Sequence, residues 1–306
     1  MSFFLGVDMS CYTTSCAVCD ESGGIIYDRR LPLRVPEGKK GLRQQEMVFL
    51  HIKQIRDIFP EGYSFAAVGG STRPRDIEGS YMPVFSACES FSRVAARAAG
   101  AEFYPLTHQH GHIMAALIGK SMPDSFIALH VSGGTTDAVS VEMRDGIITG
   151  IEQIGGTADI AAGQFIDRIG VMLGLPFPCG PELEKLAKNG TPVKLRADVR
   201  GTEISFSGPE SAVRRMIEKG MSCEDAAATV QECIAEVLTK MILNCVDMTG
   251  KKDILLSGGV MSNRKITETI KAGTGAEVSE RRYASDNACG LAVLARNIFL
   301  NKTKGE

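Results

Sequence analysis

A chain of 306 residues, 44% apolar and 23% charged, is long and apolar enough for two domains with buried cores, which excludes an intrinsically disordered polymer. A formal charge of −2 excludes a global basic field for drawing in nucleic acid, so any RNA contact has to be local or shared with a partner. No stretch of about 18 apolar residues occurs, and the opening Met-Ser-Phe-Phe-Leu-Gly-Val-Asp lacks a basic segment before an apolar one. The expectation is a cytoplasmic protein with neither membrane span nor signal peptide. Nine cysteines, an odd number without a pairing pattern, point to reduced thiols. Cys16 and Cys19 have CxxC spacing, but in a strand they face opposite sides, so buried free thiols are expected rather than a zinc knuckle.

In chain order, residues 3–8 are predicted as a buried strand and residues 14–19 as its antiparallel neighbour. A third strand starts at Ile25, after a turn at Glu21-Ser-Gly-Gly24. Residues 36–45 read as a surface loop. Helices follow near 46–58, 85–99 and 108–118, with strands at 64–68 and 102–105. The opening then recurs as a strand at 126–131, a hairpin partner at 137–141 and a third strand from Ile147. Helices are predicted near 158–173, 181–188, 209–218 and 223–247. A strand at 253–257 ends in Gly258-Gly259, Asn263 opens a helix, and a final helix runs over 286–300 with Ser285 as its N-cap.

The recurrence has a fixed offset. Asp8-x-Ser10-x-x-Thr13-Thr14 falls on His130-x-Ser132-x-x-Thr135-Thr136, 122 residues on, from 10 to 132 and from 14 to 136. A period of that size indicates a duplicated domain rather than a solenoid. Two strand-turn-strand phosphate loops, each opening an α/β half, describe an actin-like ATPase fold (the sugar kinase, chaperone and actin architecture), with a nucleotide and metal cleft between two similar lobes. The lobes are expected at 1–107 and 108–306, with the last helix packing back on the first.

Four of the five histidines lie between 108 and 130, and His108 and His112 share a helix face one turn apart. Neutral imidazole is the commonest transition-metal ligand, so the pair reads as half a metal site; the alternative is a solvated helix face. Ser132, Gly133, Gly134, Thr135 and Thr136 form a turn of small and hydroxyl residues suited to phosphate oxygens. Gly258 and Gly259 leave room for a flat base, and the Asn263 carboxamide can read donors and acceptors together. Asp286 is either a capping carboxylate or a hard oxygen ligand. Asp159 and Asp167, eight apart, read as sharing one face of a helix.

Seven motifs occur in one order: His108-x-x-Gly-His112, Val131-Ser-Gly-Gly-Thr-Thr136, Ala161-Ala-Gly-x-x-x-Asp167, Gly174-Leu-Pro-x-Pro-x-Gly-Pro181, Ile204-Ser-Phe-Ser-Gly208, Ser257-Gly-Gly-Val-x-x-Asn263 and Ser285-Asp-Asn-Ala288. Over residues 3 to 296 the chain resembles the tRNA threonylcarbamoyladenosine synthase family, once described as glycoproteases or O-sialoglycoprotein endopeptidases. The resemblance implies one iron or zinc held by His108, His112 and Asp286, with His130 where one branch of the family carries a tyrosine ligand. It implies an adenine nucleotide (ATP, ADP, AMP or threonylcarbamoyl-AMP) contacted by Asp167, Gly180 and Asn263. It places Ser10, Cys11 and Thr13 in the loop beside the reacting group. The implied reaction passes a threonylcarbamoyl group from threonylcarbamoyl-AMP to the adenosine next to the anticodon of tRNA. Implied partners are a smaller actin-like homologue and a P-loop ATPase, with helices 46–58 and 85–99 as surfaces for a homo- or heterodimer.

The chain departs from the family pattern at specific places. The usual Glu-Thr-Ser-Cys-Asp-Glu-Thr is Asp8-Met-Ser-Cys-Tyr-Thr-Thr14, so Tyr12 and Thr13 replace two acids. Ile160 and Gln164 stand at two further acidic positions, and Ser71-Thr-Arg-Pro-Arg75 adds two cations for an anion or a partner. These replacements raise a second reading, a nucleotide- and metal-binding paralogue without tRNA-modifying activity, serving as a scaffold or passing the carbamoyl group to another acceptor. A small-molecule kinase would need a cleft acid acting as base. A metallopeptidase is the reading least favoured by the residues, because His108-Gln-His-Gly-His112 carries no built-in general base.

Overall fold

The computed structural model describes residues 2–10, 12–34, 42–196 and 198–305. Cys11 and most of the expected loop at 36–45 lie outside the described residues. The chain divides into two compact units. One comprises Met1–Lys120, Met143–Ile148 and Ser285–Glu306; the other comprises Ser121–Glu142 and Thr149–Ala284. The division falls after Lys120 rather than after residue 107, so the histidine helix belongs with the first unit.

The first unit is built on a five-stranded sheet in the order β3-β2-β1-β4-β5. Its strands are β1 (Phe3–Asp8), β2 (Thr13–Cys19), β3 (Ile25–Pro32), β4 (Phe65–Arg73) and β5 (Glu102–Thr107). β1, β2 and β3 pair antiparallel as a meander, whereas β4 and β5 join in parallel. Parallel pairing demands crossovers, supplied by α1 (Gln44–Ile58) before β4 and α2 (Pro83–Ala99) before β5. Phe4, Leu5, Val7, Cys16 and Val18 are fully buried, as a run of apolar residues covered on both faces requires.

The covering helix is α9 (Cys289–Gly305), and it lies unusually close. A Cβ on Gly6 of β1 would stand 2.1 Å from the Ala288 carbonyl oxygen, and one on Gly69 of β4 would stand 2.6 Å from that of Leu291. On its far side α9 meets α3 (His108–Leu117) just as closely, since a Cβ on Gly290 would sit 2.0 Å from the Gly111 carbonyl oxygen. Leu291, Leu294, Leu106 and Met114 close the seam.

The second unit repeats the plan. Its sheet runs β12-β11-β6-β7-β8-β10-β9. The strands are β6 (Ser125–Val131), β7 (Thr136–Arg144), β8 (Ile147–Thr157), β9 (Asp198–Arg200), β10 (Glu203–Ser205), β11 (Ile254–Ser257) and β12 (Glu277–Val278). The order β8-β7-β6-β11-β12 is that of β3-β2-β1-β4-β5, element for element. β6 pairs antiparallel with β7 and parallel with β11, as β1 does with β2 and β4. The 122-residue offset therefore reflects a duplicated topology, as the sequence suggested. Around this sheet pack α4 (Ala162–Met172), α5 (Gly180–Ala187), α6 (Ser207–Glu218), α7 (Cys223–Thr249) and α8 (Arg264–Thr274). α7 carries much of the core, with Val230, Ile234, Val237, Leu238, Met241 and Ile242 buried on its inner face. Among the described residues no helix is long and apolar enough to cross a membrane. Cys16 and Cys19 are buried free thiols.

Three local expectations are corrected. Ser285 does not cap the last helix: α9 begins at Cys289, whose N–H donates to Asn287 Oδ1, and the Ser285 hydroxyl accepts from Arg30 instead. Asp159 does not share a helix with Asp167, because α4 begins only at Ala162. Asp159 instead collects the Ser205 and Ser207 hydroxyls and the N–H groups of Ile160, Phe206 and Ser207, capping α6 from a neighbouring segment. Gly258 offers no room to a ligand. Its φ is +97° and a Cβ there would lie 2.2 Å from the Val131 carbonyl oxygen, so it is the point where the turn after β11 crosses the end of β6.

Two predictions follow from this packing. Gly290→Ala forces a methyl into the α3–α9 backbone contact and lowers stability by about 1–3 kcal/mol. Gly111→Ala, which meets only the flexible end of Leu291 at 3.2 Å or more, costs less; urea unfolding of both variants ranks them. For Asp159, desolvation opposes ionisation, but hydrogen bonds from Ser205, Ser207, Phe206 and Ile160 outweigh it and hold the carboxyl well below the usual range. A carboxyl depressed in the folded state stabilises above its unfolded pKa of about 4, and that contribution fades as pH falls below it. The stability gap between the wild type and Asp159→Asn, followed by urea midpoints, narrows from pH 5 towards pH 2.

Candidate metal centre and ligand cavity

α3 starts with a reciprocal cap. Thr107 Oγ1 accepts from His110 N at 3.0 Å, and His110 Nδ1 accepts from Thr107 N at 3.2 Å. This fixes the first turn, and it uses His110 for the helix end rather than for a ligand cluster. His108 and His112 then emerge on one face, with their Nε2 atoms 2.9 Å apart. Asp286, in the segment leading to α9, brings Oδ1 to 3.2 Å from His112 Nε2 and 3.7 Å from His108 Nε2. One ligand atom from each of the three residues lies within 4.8 Å of the other two.

Two imidazole nitrogens and a carboxylate oxygen are the donor set of a first-row divalent ion. Metal–ligand bonds of about 2.0–2.2 Å place neighbouring ligands roughly 3–3.5 Å apart in a tetrahedron, close to the separations found. The three residues fit a metal ion.

Behind the cluster stands Asp8, fully buried at the end of β1. Its Oδ2 lies 3.1 Å from His108 Nδ1 and accepts from Ser10 Oγ at 2.7 Å, while its Oδ1 accepts from Ser71 Oγ at 2.5 Å. Desolvation alone would lower the pKa of His108, but the charge and hydrogen bond of Asp8, helped by Asp286, push it up to about 9. For Asp8 itself burial works against the anion, yet His108 and Ser71 hold its pKa below the ordinary value.

Of the residues expected in the opening loop, Ser10 is buried and engaged with Asp8, and Cys11 lies outside the described residues. Thr13 starts β2 with its N–H on the Ser10 carbonyl at 3.2 Å. Thr14 is fully buried, its hydroxyl between His51 and Gln54. The three-residue cluster does not include His130, expected as a fourth ligand. It lies on β6 in the second unit, where its Nδ1 is 3.1 Å from Ser257 Oγ.

The second unit holds a cavity of about 260 Å³. Five of the residues expected around a nucleotide line it: Gly133, Asp167, Gly180, Gly259 and Asn263. Asn263 is the N-cap of α8, its Oδ1 accepting from Ile266 N at 3.1 Å. Its Nδ2 is buried and has no hydrogen-bond partner among the described residues. A buried amide donor without an acceptor costs free energy unless something fills it. Asp167 accepts from Cys179 N at 2.8 Å; burial raises its pKa despite that bond.

The other residues expected at the phosphate turn flank the cavity-lining Gly133 in sequence. Ser132 Oγ accepts from Thr135 N at 3.2 Å and from Gly134 N at 3.4 Å, long bonds that curl the turn on itself. Thr136 is buried and its hydroxyl accepts from Ala162 N, capping α4. A Cβ on Gly163 would stand 2.5 Å from the Ser132 carbonyl oxygen, so α4 begins directly on the turn. Glu184 and Arg281 also line the cavity and were not anticipated. Glu184 accepts from Arg264 N at 2.7 Å and so anchors α5 to α8; a charged residue on a short helix carries no sequence signal of such a role.

A family model for tRNA N6-adenosine threonylcarbamoyltransferase matches residues 79–293. The tRNA N6-adenosine threonylcarbamoyltransferase of Corynebacterium diphtheriae is 32% identical over 96% of this chain and 91% of its own length. A "probable bifunctional tRNA threonylcarbamoyladenosine biosynthesis protein" of Thermoplasma acidophilum is 28% identical over 95% of this chain, which spans only 55% of that longer protein. Among solved structures, component A of the Acidaminococcus fermentans (R)-2-hydroxyglutaryl-CoA dehydratase superposes with a TM-score of 0.59 at 16% identity, covering 98% of this chain and all of that one. The shared fold, with its duplicated sheet order, is the actin-like ATPase fold. Matched over most of its length by this family model and by a relative above 30% identity, the chain belongs to the tRNA N6-adenosine threonylcarbamoyltransferase family, a family of transferases.

Proposed function

We propose that the chain transfers a threonylcarbamoyl group from threonylcarbamoyl-AMP to the exocyclic amine of the adenosine next to the anticodon in tRNA, releasing AMP. The observation that carries this reading is the convergence of His108, His112 and Asp286 in a chain of this family. These three residues would hold one iron or zinc ion, both of which accept nitrogen and carboxylate donors. Bound there, such an ion supplies Lewis acidity to a carbonyl or phosphoryl oxygen.

The chain's own residues supply the rest. Asn263 Nδ2 donates to the adenylate, satisfying an amide that is otherwise buried without an acceptor. Asp167 accepts from a ribose hydroxyl at the cavity wall. The Gly134 and Thr135 amides exchange long bonds to Ser132 for shorter, charge-assisted ones to a phosphate. The acceptor is tRNA; with a net charge of −2 the protein relies on local contacts or a helper protein to hold it.

A second reading is favoured by one observation. Tyr12 and Thr13 carry no carboxylate where the family motif has two, and Gln164, another departure, accepts from Ala161 N at the start of α4. A paralogue that binds nucleotide and metal without modifying tRNA accommodates these changes.

Two measurements test the proposal. AMP, ADP or ATP at millimolar concentration raises the melting temperature by ligand linkage, and Asn263→Asp, which keeps a capping oxygen but loses the donor, abolishes most of that shift. No shift with the wild type contradicts the cavity assignment. In a strain lacking its own threonylcarbamoyltransferase, expression of this chain with its helper proteins restores N6-threonylcarbamoyladenosine in digested tRNA by mass spectrometry, and His108→Ala does not. Absence of the nucleoside, with nucleotide and metal binding intact, decides for the paralogue.

A further inference from the structure

The geometry points to Asp8 as a positioning residue: held by the Ser71 and Ser10 hydroxyls, it orients His108 so that Nε2 presents a lone pair to the cation shared with His112 and Asp286. The inference rests on the metal reading above and adds a role that the three ligands do not contain.

A metal binds imidazole in its neutral form, displacing a proton from His108, and that form has one N–H and one lone pair. His108 turns Nδ1 to a carboxylate oxygen at 3.1 Å and Nε2 to His112 and Asp286. An ionised carboxylate only accepts, so Nδ1 carries the hydrogen and Nε2 is left as the ligand atom. A carboxylate behind a metal-binding histidine fixes ring orientation and raises ligand basicity. Asp8 is equipped for this and for little else. It is fully buried, its two oxygens accept from Ser71, Ser10 and His108, and it is not one of the clustered ligands. Burying a carboxylate costs several kcal/mol unless it is paired and hydrogen-bonded, and here all three partners point at it.

The duplication supplies an internal control. Val7 pairs with Gly70 in the parallel β1–β4 ladder, so Asp8 stands opposite Ser71 one step on. In the second unit His130 stands opposite Ser257, and the Ser257 hydroxyl again meets its partner's side chain, at 3.1 Å. Both copies keep the serine, whereas the residue it holds is acidic only in the copy whose last strand, β5, leads into the His108 helix. The fold at this register position does not require an acid; the histidine does. Ser10, which the sequence places among candidate catalytic residues, is then part of the clamp.

The test uses the full chain, stripped of metal and titrated with Co²⁺ and Zn²⁺. Asp8→Asn is expected to weaken binding by about 10–100-fold and to change the visible Co²⁺ absorption bands. Ser71→Ala, which keeps the carboxylate, is expected to lose less. Folding of each variant is monitored by its urea unfolding transition, and the adenine-nucleotide melting shift reports the second unit separately. A nucleotide-competent Asp8→Asn that binds Co²⁺ with wild-type affinity and spectrum overturns the inference while leaving the metal site standing. Failure of the wild type to bind Co²⁺, or binding unaffected by His108→Ala, overturns both. Should Asp8→Asn not fold, ¹⁵N-histidine NMR of the wild-type Zn²⁺ form decides: His108 with its proton on Nδ1 supports the assignment, and an unprotonated Nδ1 overturns it.

Discussion

The first unit depends on the absence of three side chains. Gly6 and Gly69 let the α9 backbone rest on β1 and β4, and Gly290 lets it touch α3. A sheet and two helices are thereby held at backbone contact, closer than ordinary side-chain layers permit. Asp286 lies just ahead of α9, and His108 and His112 ride on α3. Their convergence is a direct result of that spacing, not of any long-range attraction between the three side chains. A methyl on Gly6, Gly69 or Gly290 would collide with backbone and push α9 away from these neighbours.

Charge placement follows a consistent rule. Two carboxylates are densely hydrogen-bonded: Asp8 by two serines and a histidine, Asp159 by two serines and three backbone amides. The contrast is Asn263, whose acceptor caps α8 while its donor is buried with nothing opposite. On the proposed reading that donor is the one a nucleotide takes up, and the α8 cap holds it in place before anything binds.

Much of this was legible in the sequence because it is periodic or local. The buried strands announce themselves as apolar runs, and β1 and β6 start from the same pattern 122 residues apart, from 10 to 132. The i, i+4 histidines gave two of the three residues of the candidate metal cluster. The rest depends on tertiary neighbours. Ser71 reaches Asp8 across a parallel ladder whose strands are separated by α1, and no spacing rule connects them. Asp159 looked helical because it precedes a helix at a plausible interval; its partners are on the segment at 205–207. Gly258 and Gly259 are indistinguishable by type, yet one is fixed by the Val131 backbone and the other opens on the cavity. Ser285 is a good capping residue, but the chain delays α9 until Cys289, and this frees Asp286 from the helix.

The close seat of α9 also has a consequence for synthesis. The β1–β4 surface beneath it, Gly6 and Gly69 included, is complete once the first crossovers have been made, but its cover emerges from the ribosome only after the whole second unit. Until then the sheet of the nascent chain carries an apolar face with no helix over it, and a cation meets two histidines without their carboxylate. Until α9 is made, the uncovered sheet is the surface a chaperone would have to shield.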